Sequence, residues 1–121
     1  MTARQVPSTD ELLVVGRRAR WARARGATVD LSGHPSLRRI LWSLCEADAR
    51  GTPMTTAQLL SVGWPGESPD VESGANRVYV AISTLRRMGL RGVIVRRGGG
   101  YALASRVVVS GVGVGNADPK V

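Results

Sequence analysis

Ser73-Gly74-Ala75-Asn76-Arg77-Val78-Tyr79-Val80-Ala81-Ile82-Ser83-Thr84-Leu85-Arg86-Arg87-Met88-Gly89-Leu90 is the stretch on which the fold turns. Val78, Ile82 and Leu85 recur at i, i+4 and i+7, the spacing that places side chains on one face of an α-helix. Asn76, Arg77, Val80, Ser83, Thr84 and Arg87 fall on or near the opposite face. Tyr79 borders the apolar seam and is expected to be partly buried. Met88-Gly89-Leu90 closes the helix. A narrow seam backed by cations and short polar groups describes a helix that rests on a core and turns a hydrogen-bonding face outward.

The residues before this helix supply a partner for it. Thr55-Thr56-Ala57-Gln58 reads as a capping box, with the Thr55 hydroxyl on the amide three residues on and Gln58 reaching back. Leu59, Leu60, Val62 and Trp64 follow, and Pro65-Gly66 stops a short helix of about eight residues. Residues 65–72 form an acidic loop between the two helices. Further upstream, Leu37, Ile40, Leu41, Leu44 and Cys45 mark an amphipathic helix of about 14 residues, opened by Pro35 and ended by Gly51 and Pro53. Three short β-prone runs precede it: Leu12 to Val15, Arg18 to Ala24 and Thr28 to Leu31. They predict a small N-terminal antiparallel sheet.

After the third helix, Val93 to Arg97 and Tyr101 to Ala104 flank Gly98-Gly99-Gly100 and read as a β-hairpin whose turn type is left open. The expected class is therefore α+β: a small sheet, three helices and a C-terminal hairpin. The expected organisation is a flexible arm over 1–11, one folded unit over 12–104 and a flexible tail over 105–121. Within that tail Val107 to Val109 could add a strand, and 110–121 are rich in glycine.

Composition bounds the function. The 121 residues fit one domain, and 43% hydrophobic content suits a globular chain. Lys plus Arg number 17 against 9 Asp plus Glu, a formal net charge of +8, and Lys120 is the one lysine. Such a balance points to a polyanion, although arginine at solvated positions gives the same count. Cys45 and His34 are the only residues of their types, which excludes an intrachain disulfide and a zinc site built on those ligands. Cys45 reads as buried filler. No acid, base or nucleophile sits in a catalytic motif, the three glycines at 98–100 lack the Lys and helix of a phosphate-binding loop, and no cofactor is implied. With no membrane-length apolar run and no signal peptide, the expected location is the cytoplasm.

The order of elements and three short patterns carry a resemblance. The end of helix two, Leu59-Leu60-Ser61-Val62-Gly63-Trp64, the run Val78-Tyr79-Val80-Ala81-Ile82-Ser83-Thr84-Leu85-Arg86 and the hairpin Gly98-Gly99-Gly100-Tyr101-Ala102-Leu103 resemble the effector domain of OmpR/PhoB-type response regulators over residues 12–104. Tyr79 and Ala81 stand where that family often has an acidic residue and a histidine. The resemblance implies a winged helix-turn-helix, a bacterial transcription regulator whose recognition helix enters the major groove of double-stranded DNA, a dimer on tandem sites and a loop at 65–72 that in the family can touch RNA polymerase. No receiver domain is expected in the 34 residues before helix one.

The expected DNA-contacting set is Asn76, Arg77, Val80, Ser83, Thr84 and Arg87 on the helix, with Arg96 and Arg97 on the hairpin and Arg97 favoured for its place nearest the tip. Arg86 is assigned to packing or ion pairing. Trp42 and Trp64 are expected to pack at the core or its edge, and Trp21 to stack on the sheet. Two rival readings stand beside this one: a winged helix used as a protein-interaction module, and a nonspecific nucleic-acid binder.

Overall fold

The computed structural model describes residues 12–110, so the arm expected over 1–11 and the glycine-rich residues 111–121 lie outside the described part. The elements run β1 (Leu12–Val15), a 3-10 turn (Arg17–Ala19), β2 (Trp21–Ala24), β3 (Ala27–Asp30), α1 (Pro35–Arg50), α2 (Thr56–Gly63), α3 (Val71–Leu85) with a wider helical turn (Arg86–Leu90), β4 (Ile94–Arg97), β5 (Gly100–Leu103) and β6 (Arg106–Val109). The class is α+β: three helices, a four-stranded sheet and a separate hairpin.

The sheet corrects two expectations. Its order is β3-β2-β1-β6, and it is mixed: β1–β2 and β2–β3 are antiparallel, whereas β6 runs parallel to β1. The folded unit therefore extends past residue 104, and the strand allowed for at Val107 to Val109 is present as Arg106–Val109, inside the stretch expected as a flexible tail. The physical reason lies in the register. Val107 and Val109 sit opposite Leu13 and Val15, half-buried on the core side, and the Ser110 amide donates to the Val15 carbonyl at 2.8 Å. The run Arg18 to Ala24 is also not one strand. Arg18 and Ala19 both take positive φ, which turns the chain sharply before β2 begins at Trp21.

Helix ends follow local chemistry. The capping box at α2 forms: the Thr55 hydroxyl accepts from the Gln58 amide at 3.1 Å, and the Gln58 side chain accepts from the Thr55 amide at 2.9 Å. The α2 C-terminus is closed by α1. Arg39 donates to the carbonyls of Val62 and Gly63, and the Ser36 hydroxyl also donates to Gly63. A cation on orphan carbonyls suits the negative end of a helix. Helix α3 starts two residues before the expected Ser73, because the Asp70 carboxylate caps it by accepting from the Ser73 amide at 3.1 Å.

One core joins both layers. The inner sheet face gives Leu13, Val15, Ala22 and Val29, α1 gives Ile40, Leu41 and Leu44, and α2 gives Leu59. Val78, Ile82 and Leu85 of α3 are fully buried, as their spacing predicts, and Ile94, Tyr101 and Leu103 seat the hairpin on the same core. The hairpin gains a third partner in Met54, whose amide and carbonyl exchange hydrogen bonds with Tyr101, both at 2.8 Å. Its two-residue loop has Gly98 and Gly99 at φ +57° and +80°, the pair of positive values that a type I′ turn requires.

Candidate nucleic-acid interface

The outward face of α3 is set by the buried seam behind it. With Val78, Ile82 and Leu85 inward, Asn76, Val80 and Arg87 are exposed, while Arg77, Ser83 and Thr84 are half-buried at its borders. All six side chains named from the sequence thus lie on the accessible part of one helix. Tyr79 corrects the expectation of partial burial. It is 58% exposed, beside Val80 at 52%, and joins the outward face. The sequence signal was its position a quarter-turn from Val78, equally close to seam and surface. An open groove of about 470 Å³ flanks this face, bounded by Leu37, Trp64, Asn76, Arg77, Val80 and Thr84.

The side chains on this face differ in how free their hydrogen-bonding groups are. The Thr84 hydroxyl donates to the Val80 carbonyl at 2.8 Å, which commits its proton to the helix backbone and leaves its oxygen as an acceptor. Arg87 donates to that oxygen at 3.4 Å and is otherwise solvated. Arg77 is held on two sides: its guanidinium lies 5.5 Å from the Trp64 ring centroid and is ion-paired to Glu67. Trp64 is thus half-buried at the core edge and also serves as a platform for Arg77.

The hairpin brings two more cations near the end of α3. Arg96 lies over the Tyr101 ring at 5.0 Å and donates to the Tyr101 hydroxyl at 3.3 Å. Arg97 pairs with Gly100 at the last rung before the turn and is exposed. Arg86, assigned from sequence to a structural role, donates from Nε and Nη2 to the Ile94 carbonyl at 3.1 and 2.9 Å. That fork ties the end of α3 to the first residue of the hairpin, so the two cationic surfaces keep a fixed relation.

Among the described residues three titrating groups are displaced. The Asp70 and Asp30 carboxyls fall below the usual carboxylate range, each because a serine two or three residues on donates to it from side chain and backbone. Burial pushes the Cys45 thiol up to about 12, with Asp48 and Glu46 adding to the effect. A thiol so protonated is a poor nucleophile at neutral pH. Among the described residues no three His, Cys, Asp or Glu side chains are grouped to hold a metal ion, and no helix is long and apolar enough to cross a membrane. Comparison with known proteins finds no family model and no curated protein that matches the chain.

Proposed function

We propose that this chain is a winged helix-turn-helix regulator that binds double-stranded DNA in a sequence-specific way. The single observation that carries the reading is the coupling of α3 to the hairpin through the Arg86 fork, which holds an exposed helical face and an arginine-tipped hairpin as one unit. In this reading α3 enters the major groove with Asn76, Val80, Ser83, Thr84 and Arg87 toward base edges and Arg77 toward the backbone. The β4–β5 hairpin is the wing and presents Arg97 to the adjacent minor groove or phosphates. Arg96, held on Tyr101 one rung below Arg97, supplies a second positioned cation near the tip. Tyr79 joins the contacting set because its ring is exposed on the same face.

The same reading carries a cytoplasmic location, binding as a homodimer on tandem sites and contact of the turn at 65–70 with RNA polymerase. The exposed Tyr79 and Val80 favour one alternative, docking of a protein on α3. Titration of labelled duplex by fluorescence anisotropy at two salt concentrations, with wild type and the Arg77→Ala plus Arg87→Ala variant, tests the proposal. Binding by wild type that weakens steeply with salt and drops in the variant is expected. Absence of binding to random and genomic DNA at low salt removes it. Selection of bound sites from random DNA then separates a sequence-specific regulator, which enriches a motif, from a nonspecific binder, which does not.

A further inference from the structure

Arg77, the cation of α3, is ion-paired to a carboxylate. That partner, Glu67, comes from the turn between α2 and α3. The turn is built to present it: the Glu67 amide donates to the Trp64 carbonyl at 3.2 Å, and Gly66 takes φ +83° to close the loop. Trp64 in turn stacks on the same guanidinium that Glu67 grips. The ring limits the directions in which Arg77 can swing, and one carboxylate oxygen of Glu67 takes its Nη1 group.

We propose that the Arg77 guanidinium is a phosphodiester-binding site and that Glu67 is its built-in competitor. The inference rests on the DNA-binding reading above. A carboxylate and a phosphate both offer anionic oxygens to a guanidinium, so the Nη1 donor that Glu67 occupies is one that a backbone phosphate also takes. Both side chains stay open to solvent, with relative exposures of 36% for Arg77 and 53% for Glu67. An ion pair this exposed is weakly held and screened by salt, so a duplex engaged by the rest of the face can displace it. A lone anion brings no such help. Glu67 therefore lowers affinity for every duplex alike and makes the Arg77 contact conditional on docking of the whole face.

The test is a double-mutant cycle read by fluorescence anisotropy on a labelled duplex over a salt series. It uses wild type, Glu67→Gln, Arg77→Ala and the double variant, with Glu67→Ala as a second removal of the charge. Thermal unfolding checks that each variant folds. Glu67→Gln and Glu67→Ala are expected to bind about two- to fivefold tighter than wild type, the factor that release of an exposed ion pair supplies. In the Arg77→Ala background the same change is expected to do nearly nothing. No gain from either Glu67 variant, or an equal gain with and without Arg77, overturns the competitor role while leaving DNA binding intact. Failure of wild type to bind any duplex at the lowest salt instead overturns the DNA reading, and this inference with it.

Discussion

Arg86 donates two hydrogen bonds to the single carbonyl oxygen of Ile94, at 3.1 and 2.9 Å, and so joins the end of α3 to the start of the hairpin. A charged donor on a half-buried carbonyl contributes on the order of 1–2 kcal/mol after allowance for solvent. Arg86→Ala is expected to lower stability by about that amount in urea unfolding. Arg86→Lys keeps the charge but not the fork, and is expected to recover less than half of the loss.

Gly100 sits where β5 passes the α1–α2 connection. A Cβ there would lie 2.1 Å from the Met54 carbonyl oxygen, which is backbone and already bonded to Tyr101. Gly100→Ala should therefore push the hairpin off Met54, costing about 1–3 kcal/mol as overpacking does. Hydrogen exchange at the Tyr101 amide reports it directly: faster exchange is expected, and unchanged protection contradicts the packing described.

Thr55→Ala removes the hydroxyl that accepts the Gln58 amide. The expected loss is about 1 kcal/mol, which lowers the melting temperature of a domain this size by roughly 4–8 °C. Thr55→Ser keeps the acceptor and should remain within about 0.5 kcal/mol of wild type.

The Asp70 cap, inside an acidic loop, is not legible in the sequence, whereas the Thr55–Gln58 box is, because its partners lie within one turn of each other and it opens an apolar run. The Leu37-to-Cys45 and Val78-to-Leu85 seams were legible for the same reason, since helical spacing alone decides which side is buried. Tyr79 was misread because its angle lies between seam and surface, and only packing of the neighbouring elements chooses. A strand at Val107 to Val109 is legible in its run of valines, but its place in the sheet is not, because its partner β1 lies at the other end of the described chain and a valine run cannot name a partner. The Glu67–Arg77 pair crosses a loop whose course depends on Trp64 and Gly66, so charge in the loop was visible but its target was not.

Asp70 gives a pH dependence of known sign. Ser73 donates to its carboxyl in the folded state and holds the pKa below the ordinary value of about 3.9. A depressed folded pKa means that the stabilisation is complete above the unfolded value and is lost as pH falls toward the folded one. Asp70→Asn keeps a capping oxygen but no titration. Melting curves from pH 6 to 2 should show wild type losing more stability than Asp70→Asn below about pH 4. Asp30, held by Ser32 in the same way, titrates in both proteins and so cancels in the comparison.

Cys45 has the opposite sign. Its folded pKa is pushed up to about 12 by burial, so the unfolded thiol ionises first as pH rises. The contribution is complete below the unfolded value of about 8.5 and fades as pH climbs toward 12. Alkylation of Cys45 at pH 8 is expected to be slow and to accelerate with added urea in step with unfolding. Rapid labelling of the native protein would contradict its burial.

The parallel pairing of β6 with β1 also fixes an order of events in time. Leu12 and Arg106 are register partners although more than ninety positions separate them, so β1 leaves the ribosome long before its neighbour exists. The capped helices and the β1–β3 meander depend on shorter loops and can form early, whereas pairing β6 with β1 closes the longest loop among the described strand pairs. Until Val109 is made, the nascent chain shows a bare strand edge at Leu12–Val15, the segment most open to pairing with another chain.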